Sequence, residues 1–172
     1  MKSSPDNARE KIFQLCEQKK FDDARKYFAE MVNKKVLKVA DAEHLLWQAS
    51  IEGMAGNYEE ENRILCSAYA NDPSYTAVLF SLVRSFSKLG LYEQCEKMAS
   101  KLLNIESKTN ESYFSGSSKF FLSLSYLRQK DFTNFNRSIS QLDDNHAEWI
   151  HGRLLSKKDM ISESQEMLGK NW

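Results

Sequence analysis

After the Asp72-Pro73 pair the chain places Leu79, Leu82, Val83 and Phe86 at i, i+3, i+4 and i+7, the spacing of one apolar stripe on an α-helix. Gly90 ends that stripe, and a second begins at once with Cys95, Ala99, Leu102 and Leu103 at i, i+4, i+7 and i+8. Two antiparallel helices joined by a short turn make an αα-hairpin, which buries one face internally and leaves another apolar face in need of a neighbour. Only two prolines, Pro5 and Pro73, and six glycines interrupt the 172 residues, which favours long helices over many short strands. The expected fold class is all-α.

The hairpin has an echo. GNYEEENRILCSAYANDP at 56–73 and GLYEQCEKMASKLLNIES at 90–107 place Gly90 over Gly56, Tyr92 over Tyr58 and Glu93 over Glu59, each pair 34 residues apart. A helix-turn-helix period of that length, with Gly, an aromatic two residues later, Ala68 ten further on and a closing Asp72-Pro73, resembles the tetratricopeptide repeat (TPR). KKFDDARKYFAEMV places Phe21, Ala24 and Phe28 in register for an earlier repeat, 37 residues before Tyr58, with a short insertion near Lys35. SLSYLRQKDFTNFNRSISQL places Tyr126 and Phe132 in register for a later one, 40 residues after Tyr92, with the extra residues in 107–116. The resemblance implies a right-handed α-solenoid of antiparallel helix pairs in a single domain over 1–172, with repeats at about 5–38, 42–75, 76–109 and 116–145.

Some positions depart from the pattern. Gln48 and Glu52 stand where the first helix of the second repeat should present Leu and Tyr to the core, and its apolar stripe is instead Trp47, Ile51, Met54 and Ala55. Glu61 occupies a small-residue position of the following helix. The stretch after the fourth repeat carries Trp149, Ile150, Leu154 and Leu155, then Met160, Ile161, Met167 and Leu168. A stack of repeats leaves its last unit bare, so 146–168 is expected to cap it, with 146–155 as a further first helix and about 158–168 as the capping helix. Covering three such side chains would hide about 5–9 kcal/mol of apolar surface, and deletion of the tail is expected to cause aggregation.

Charge and chemistry narrow the function. Lys plus Arg and Asp plus Glu are both 24, so no global field draws the chain to nucleic acid or an anionic membrane. Residues 1–40 carry ten basic and six acidic side chains, and 41–75 one basic and seven acidic, a local unevenness that solvated helix surface accounts for. The start lacks the apolar core of a secretory signal and no stretch reaches a membrane-spanning length, so a cytoplasmic protein without membrane insertion is expected. Cys16, Cys66 and Cys95 are odd in number and far apart, against a disulfide framework or zinc ribbon. Cys66 and Cys95 fall on second-helix stripes and read as small core residues. His146 and His151, five apart, diverge by about 140° on a helix, which leaves no metal site. No Gly-rich phosphate loop, Gly-x-Ser-x-Gly or His-Glu-x-x-His occurs. The expectation is a non-enzyme without a cofactor.

What remains is a surface. The resemblance implies that the first helices of successive repeats line a concave groove for an extended peptide or a helix of another protein. The lining positions are Arg9 and Phe13, then Leu46 and Trp47, then Phe80, Arg84 and Lys88, and finally Phe120, Phe121, Leu124 and Arg128. An apolar and aromatic lining with several cations suits a partner with large apolar anchors and an acidic group. The Phe120/Phe121 pair and Trp47 also fit a purely structural role, since the helix around Phe120 is apolar nearly all round. Heat-shock co-chaperones of this family grip a C-terminal carboxylate with a clamp of Lys, Asn and Arg. Its positions hold Arg9, Phe13, Trp47, Ala77 and Ser81 in one frame and Leu46, Ser50, Ser81, Ser117 and Phe121 in the next, so neither frame makes the clamp. The sequence thus favours a protein-binding adaptor. A small dedicated secretion-type chaperone or neutralising partner of one client, and a structural subunit or fragment of a larger assembly, are the alternatives.

Overall fold

The computed structural model describes residues 4–38, 40–110, 112–150 and 152–169, and His151 and Trp172 lie outside them. Nine helices occur among the described residues: α1 (Pro5–Glu17), α2 (Phe21–Asn33), α3 (Ala42–Ala55), α4 (Tyr58–Asn71), α5 (Thr76–Lys88), α6 (Tyr92–Thr109), α7 (Ser115–Arg128), α8 (Phe132–Ile139) and α9 (Lys157–Gly169). Two short strands, β1 (Ala147–Ile150) and β2 (Arg153–Ser156), precede α9.

One local device repeats along the chain. Lys19, Gly56, Gly90 and Lys130 all adopt left-handed backbone, with φ of 57°, 85°, 70° and 59°. Directly after each, a backbone N–H reaches back five residues at 2.9 Å: Lys20 to Leu15, Asn57 to Glu52, Leu91 to Phe86 and Asp131 to Tyr126. That bond and the left-handed residue are the Schellman termination of a helix. The next helix then opens on an aromatic, Phe21, Tyr58, Tyr92 or Phe132. The four left-handed residues are spaced like those aromatics, so the register read from the aromatics is the register of the turns.

The chain divides into two compact units, Met1–Ser81 and Leu82–Trp172. In the first, Ala8, Ile12, Leu15 and Cys16 of α1, Ala24, Phe28 and Met31 of α2, Leu37, and Trp47 and Ile51 of α3 form one buried cluster. Glu52, at a position where the pattern wants an apolar side chain, is buried, and Arg25 of α2 supplies its counter-charge. The guanidinium donates to both carboxylate oxygens, Nε at 2.8 Å and Nη2 at 2.7 Å, while Asn57 adds a bond of 2.8 Å. Two-point pairing of this kind makes a buried carboxylate tolerable. The neighbouring anomaly resolves by an exchange of sizes. A Cβ at Gly53 would lie 2.4 Å from Glu61 Oε1, so the first helix provides the small residue that the second lacks.

In the second unit Cys95, Ala99 and Leu102 of α6 are fully buried, as are Leu127 and Phe135 of α7 and α8. Cys95 Sγ donates to Val83 O at 3.3 Å, and burial pushes its thiol up to about 11. Glu106 of α6 is buried because it caps α7, accepting from Phe114 N at 2.8 Å and Ser115 Oγ at 2.6 Å. Two expectations are corrected. Cys66 is exposed on the outer side of α4 rather than in the core. Residues 147–150 and 153–156 are the two strands of an antiparallel β-hairpin, not a helix, paired Ala147↔Ser156, Glu148↔Leu155, Trp149↔Leu154 and Ile150↔Arg153. Gly152, with φ 76°, supplies the left-handed turn residue that a tight hairpin requires. Helix α9 follows through a reciprocal cap, Ser156 N to Asp159 Oδ2 at 2.8 Å and Asp159 N to Ser156 Oγ at 3.1 Å.

Candidate functional site

Burial of Ala8, Ile12, Leu15 and Cys16 turns the opposite side of α1 outward. Arg9 is exposed and Phe13 half-buried. With Asp6, Glu10, Gln14 and Glu17 they line an open depression of about 470 Å³. On α3, Leu46 is half-buried, and Ser50 donates its hydroxyl to Leu46 O at 2.9 Å, so that hydroxyl is spent within the helix. Trp47 does not join this face. It is 5% exposed, within the core cluster, with the His44 ring edge-on at 4.9 Å and 62°. The His44 ring is held in turn by Lys38 N, which donates to its Nδ1 at 2.9 Å. The shifted stripe explains the correction: Trp47 and Ile51 point to α1 and α2, leaving Leu46 outside.

Phe80 is half-buried on α5. Further along that helix, in the second unit, Arg84 is exposed and forms no ion pair among the described residues, and Lys88 is half-buried. Together with Ser87 they meet Phe121 of α7 and Trp149 and Ile150 of β1 around a cavity of about 20 Å³. That is room for about one water, so the hairpin already fills this part of the face. Phe120, Phe121 and Leu124 are at most 2% exposed and are corrected from lining to core. The physical reason is that α7 is packed on several sides, by α6, α8, α9 and β1.

The strand and α9 engage the predicted positions of α7 one after another. Ser117 Oγ donates to Glu148 Oε1. The His146 ring stands 5.6 Å from that of Phe120, and a Cβ at Gly116 would come within 3.1 Å of it. Arg128 Nη1 is ion-paired with Glu163 Oε1 of α9. His146 Nε2 is 3.2 Å from Glu148 Oε1. Because the carboxylate stands between hydroxyl and imidazole, His146 is not placed to take a proton from Ser117, and the three do not form an acyl-transfer triad. Among the described residues no three His, Cys, Asp or Glu side chains converge as metal ligands. No helix among them is long and apolar enough to cross a membrane.

The sequence pattern did not reveal Trp149, Glu148 and Glu163 as members of this face, since it places the whole segment in a cap. The available signal was Gly152 between two short runs, Ala147–Ile150 and Arg153–Ser156, each holding adjacent large apolar residues.

No protein-family profile matches the chain, and no curated protein matches it by sequence. Two crystal structures of nearly identical TPR-like repeats, described as those of a kinesin light chain from Podosopora anserina, share its architecture. One, a singly substituted variant, superposes with a TM-score of 0.68 and the other with 0.67; each match covers 95% of this chain and 86% of the other at 15% identity. The fold is that of a TPR-like helical repeat protein. At that identity the likeness is one of fold. The TPR-like arrangement accounts for the repeated Schellman turns and for the alternation of helices that open on aromatics with helices that carry Arg9, Leu46, Arg84 and Arg128.

Proposed function

We propose that this TPR-like chain is a cytoplasmic protein-binding module that holds an extended peptide or a helix of another protein on the outward faces of its first helices. The reading rests on Arg9 and Arg84. Each is exposed and neither forms an ion pair among the described residues; Arg9 stands beside the half-buried Phe13, and the half-buried Phe80 stands four residues before Arg84 on α5. An exposed guanidinium next to an aromatic suits a segment with an apolar anchor and a carboxylate, because the aromatic provides contact area and the fork of donors sets orientation. Phe80, Leu46 and Lys88 extend these faces.

The test is affinity capture from cell extract with the wild type beside Arg9→Glu, Arg84→Glu and a control, Lys26→Glu, on the exposed side of α2. Matching circular dichroism and melting come first. A protein retained by wild type and control and lost by Arg9→Glu or Arg84→Glu is the expected result. Equal retention by all four would move the interface to the second helices and overturn the reading.

A further inference from the structure

We infer that the β-hairpin and α9 are a self-ligand: a strap of the chain that occupies the binding face of α7 and Arg84 until a partner segment displaces it. This deepens the reading of the same face as a protein-binding surface and rests on it. The strap presents the chemistry that the face was expected to select. Glu163 delivers a carboxylate to Arg128, Glu148 accepts from Ser117, and Trp149 sets an aromatic ring beside Arg84, Lys88 and Phe121. A segment that only sealed the end of a helix stack would put its apolar residues inward. Here Trp149 is 66%, Leu154 51% and Leu168 45% exposed.

The attachment is uneven in a way that suits a strap. Its root is tied: Lys157 Nζ donates to Leu142 O at 2.7 Å and to Asp144 Oδ1 at 2.8 Å, and Lys157 N to His146 O at 3.0 Å. Leu155 and Met160 are buried close to that root. Farther out, the contacts to α7 combine apolar ones, Ile150 and Trp149 at Phe121, with polar and partly solvated ones, Arg128 and Glu163 each being 31% exposed. A competing acidic, aromatic segment replaces these polar bonds and the exposed ring with its own, and its apolar anchor takes over the cover that β1 gives to Phe121.

The test uses the full chain and a fluorescent synthetic peptide of residues 143–169 added in trans. Wild type should bind the peptide weakly, because only the fraction with its own strap open is competent. Glu163→Lys should bind it about threefold to tenfold more tightly, since the lost ion pair raises that fraction. The reversed pair, Arg128→Glu with Glu163→Lys, recloses the strap and should return amide exchange within 147–169 to the wild-type rate. Amide exchange within 147–169 should quicken in Glu163→Lys while α8 is unchanged. Trp149→Ala, at the far end, should act in the same direction and serves if Glu163→Lys melts early. Peptide affinity equal in all variants, or hairpin and α9 amides that exchange only together with α7 and α8, would make the segment a fixed part of the fold and overturn the inference. A chain that captures its own peptide but no other protein would keep the strap and defeat the proposed function instead.

Discussion

Lys19 and Lys130 sit where Gly56 and Gly90 sit in the other two turns, with the same left-handed backbone. A side chain in that region is strained while glycine is not, so Lys19→Gly and Lys130→Gly should each stabilise the chain by about 0.5–1 kcal/mol. Gly90→Ala should cost about 1 kcal/mol. Urea midpoints at unchanged slope would check both signs. The Arg25–Glu52 pair gives a second residue-scale prediction. Arg25→Ala strips a buried carboxylate of its partner and should cost about 2 kcal/mol near neutral pH. The Arg25 guanidinium holds the Glu52 carboxyl below its ordinary value of 4.5, against the opposing effect of burial. A lowered carboxyl contributes stability above its unfolded value and loses it as pH falls through the folded one. The gap between wild type and Arg25→Ala should therefore narrow on acidification below about pH 4.5, read from denaturant curves. Among the cysteines, Cys66 should label with a thiol reagent well before Cys16 and Cys95, which are buried. At this scale the sequence exposed its anomalies, Glu52 and Glu61, but not their partners. Arg25 is 27 residues from Glu52, and nothing in either local pattern couples them.

The helices are where the pattern was most legible. Stripes at 3.6-residue spacing persist for three turns or more, and each one bounded by a Schellman turn became a helix, with the expected stripe buried on α5 and α6. The segment 147–156 was not legible in the same way. Two runs of four residues hold too few turns for a helical period to be told from alternation, and the hairpin is settled by the turn at Gly152 and by the docking of β1 on α7. Its side chains should divide accordingly. Leu155→Ala and Met160→Ala, both buried, should cost about 2–4 kcal/mol each, whereas Trp149→Ala and Leu154→Ala should cost under about 1 kcal/mol. Thermal unfolding of the four variants would separate the pairs. Glu106→Ala uncaps α7 and should cost about 1–3 kcal/mol, with the loss seen first as faster amide exchange at the start of that helix.

For the molecule as a whole, 24 basic and 24 acidic side chains put the pI near 6.8. Self-repulsion is smallest there, so light scattering should show the greatest self-association near neutral pH and a fall toward pH 8.5 or so. Scattering that instead rose with pH would mean that contacts between the exposed apolar side chains Trp149, Leu154 and Tyr113 outweigh charge repulsion.

The sequence by itself determined the helix pairs, their turns and the likeness to TPR repeats, because a period that recurs every 34 to 40 residues is written in local backbone and stripe requirements. It also carried the outward places of Arg9 and Arg84, since a buried stripe on one side of a helix exposes the other. Only the tertiary structure decided that Phe120, Phe121 and Leu124 are core and that Arg128 is already paired. Those outcomes depend on which elements pack against a helix that is apolar nearly all round. Such a helix has no single inward side until its neighbours are in place.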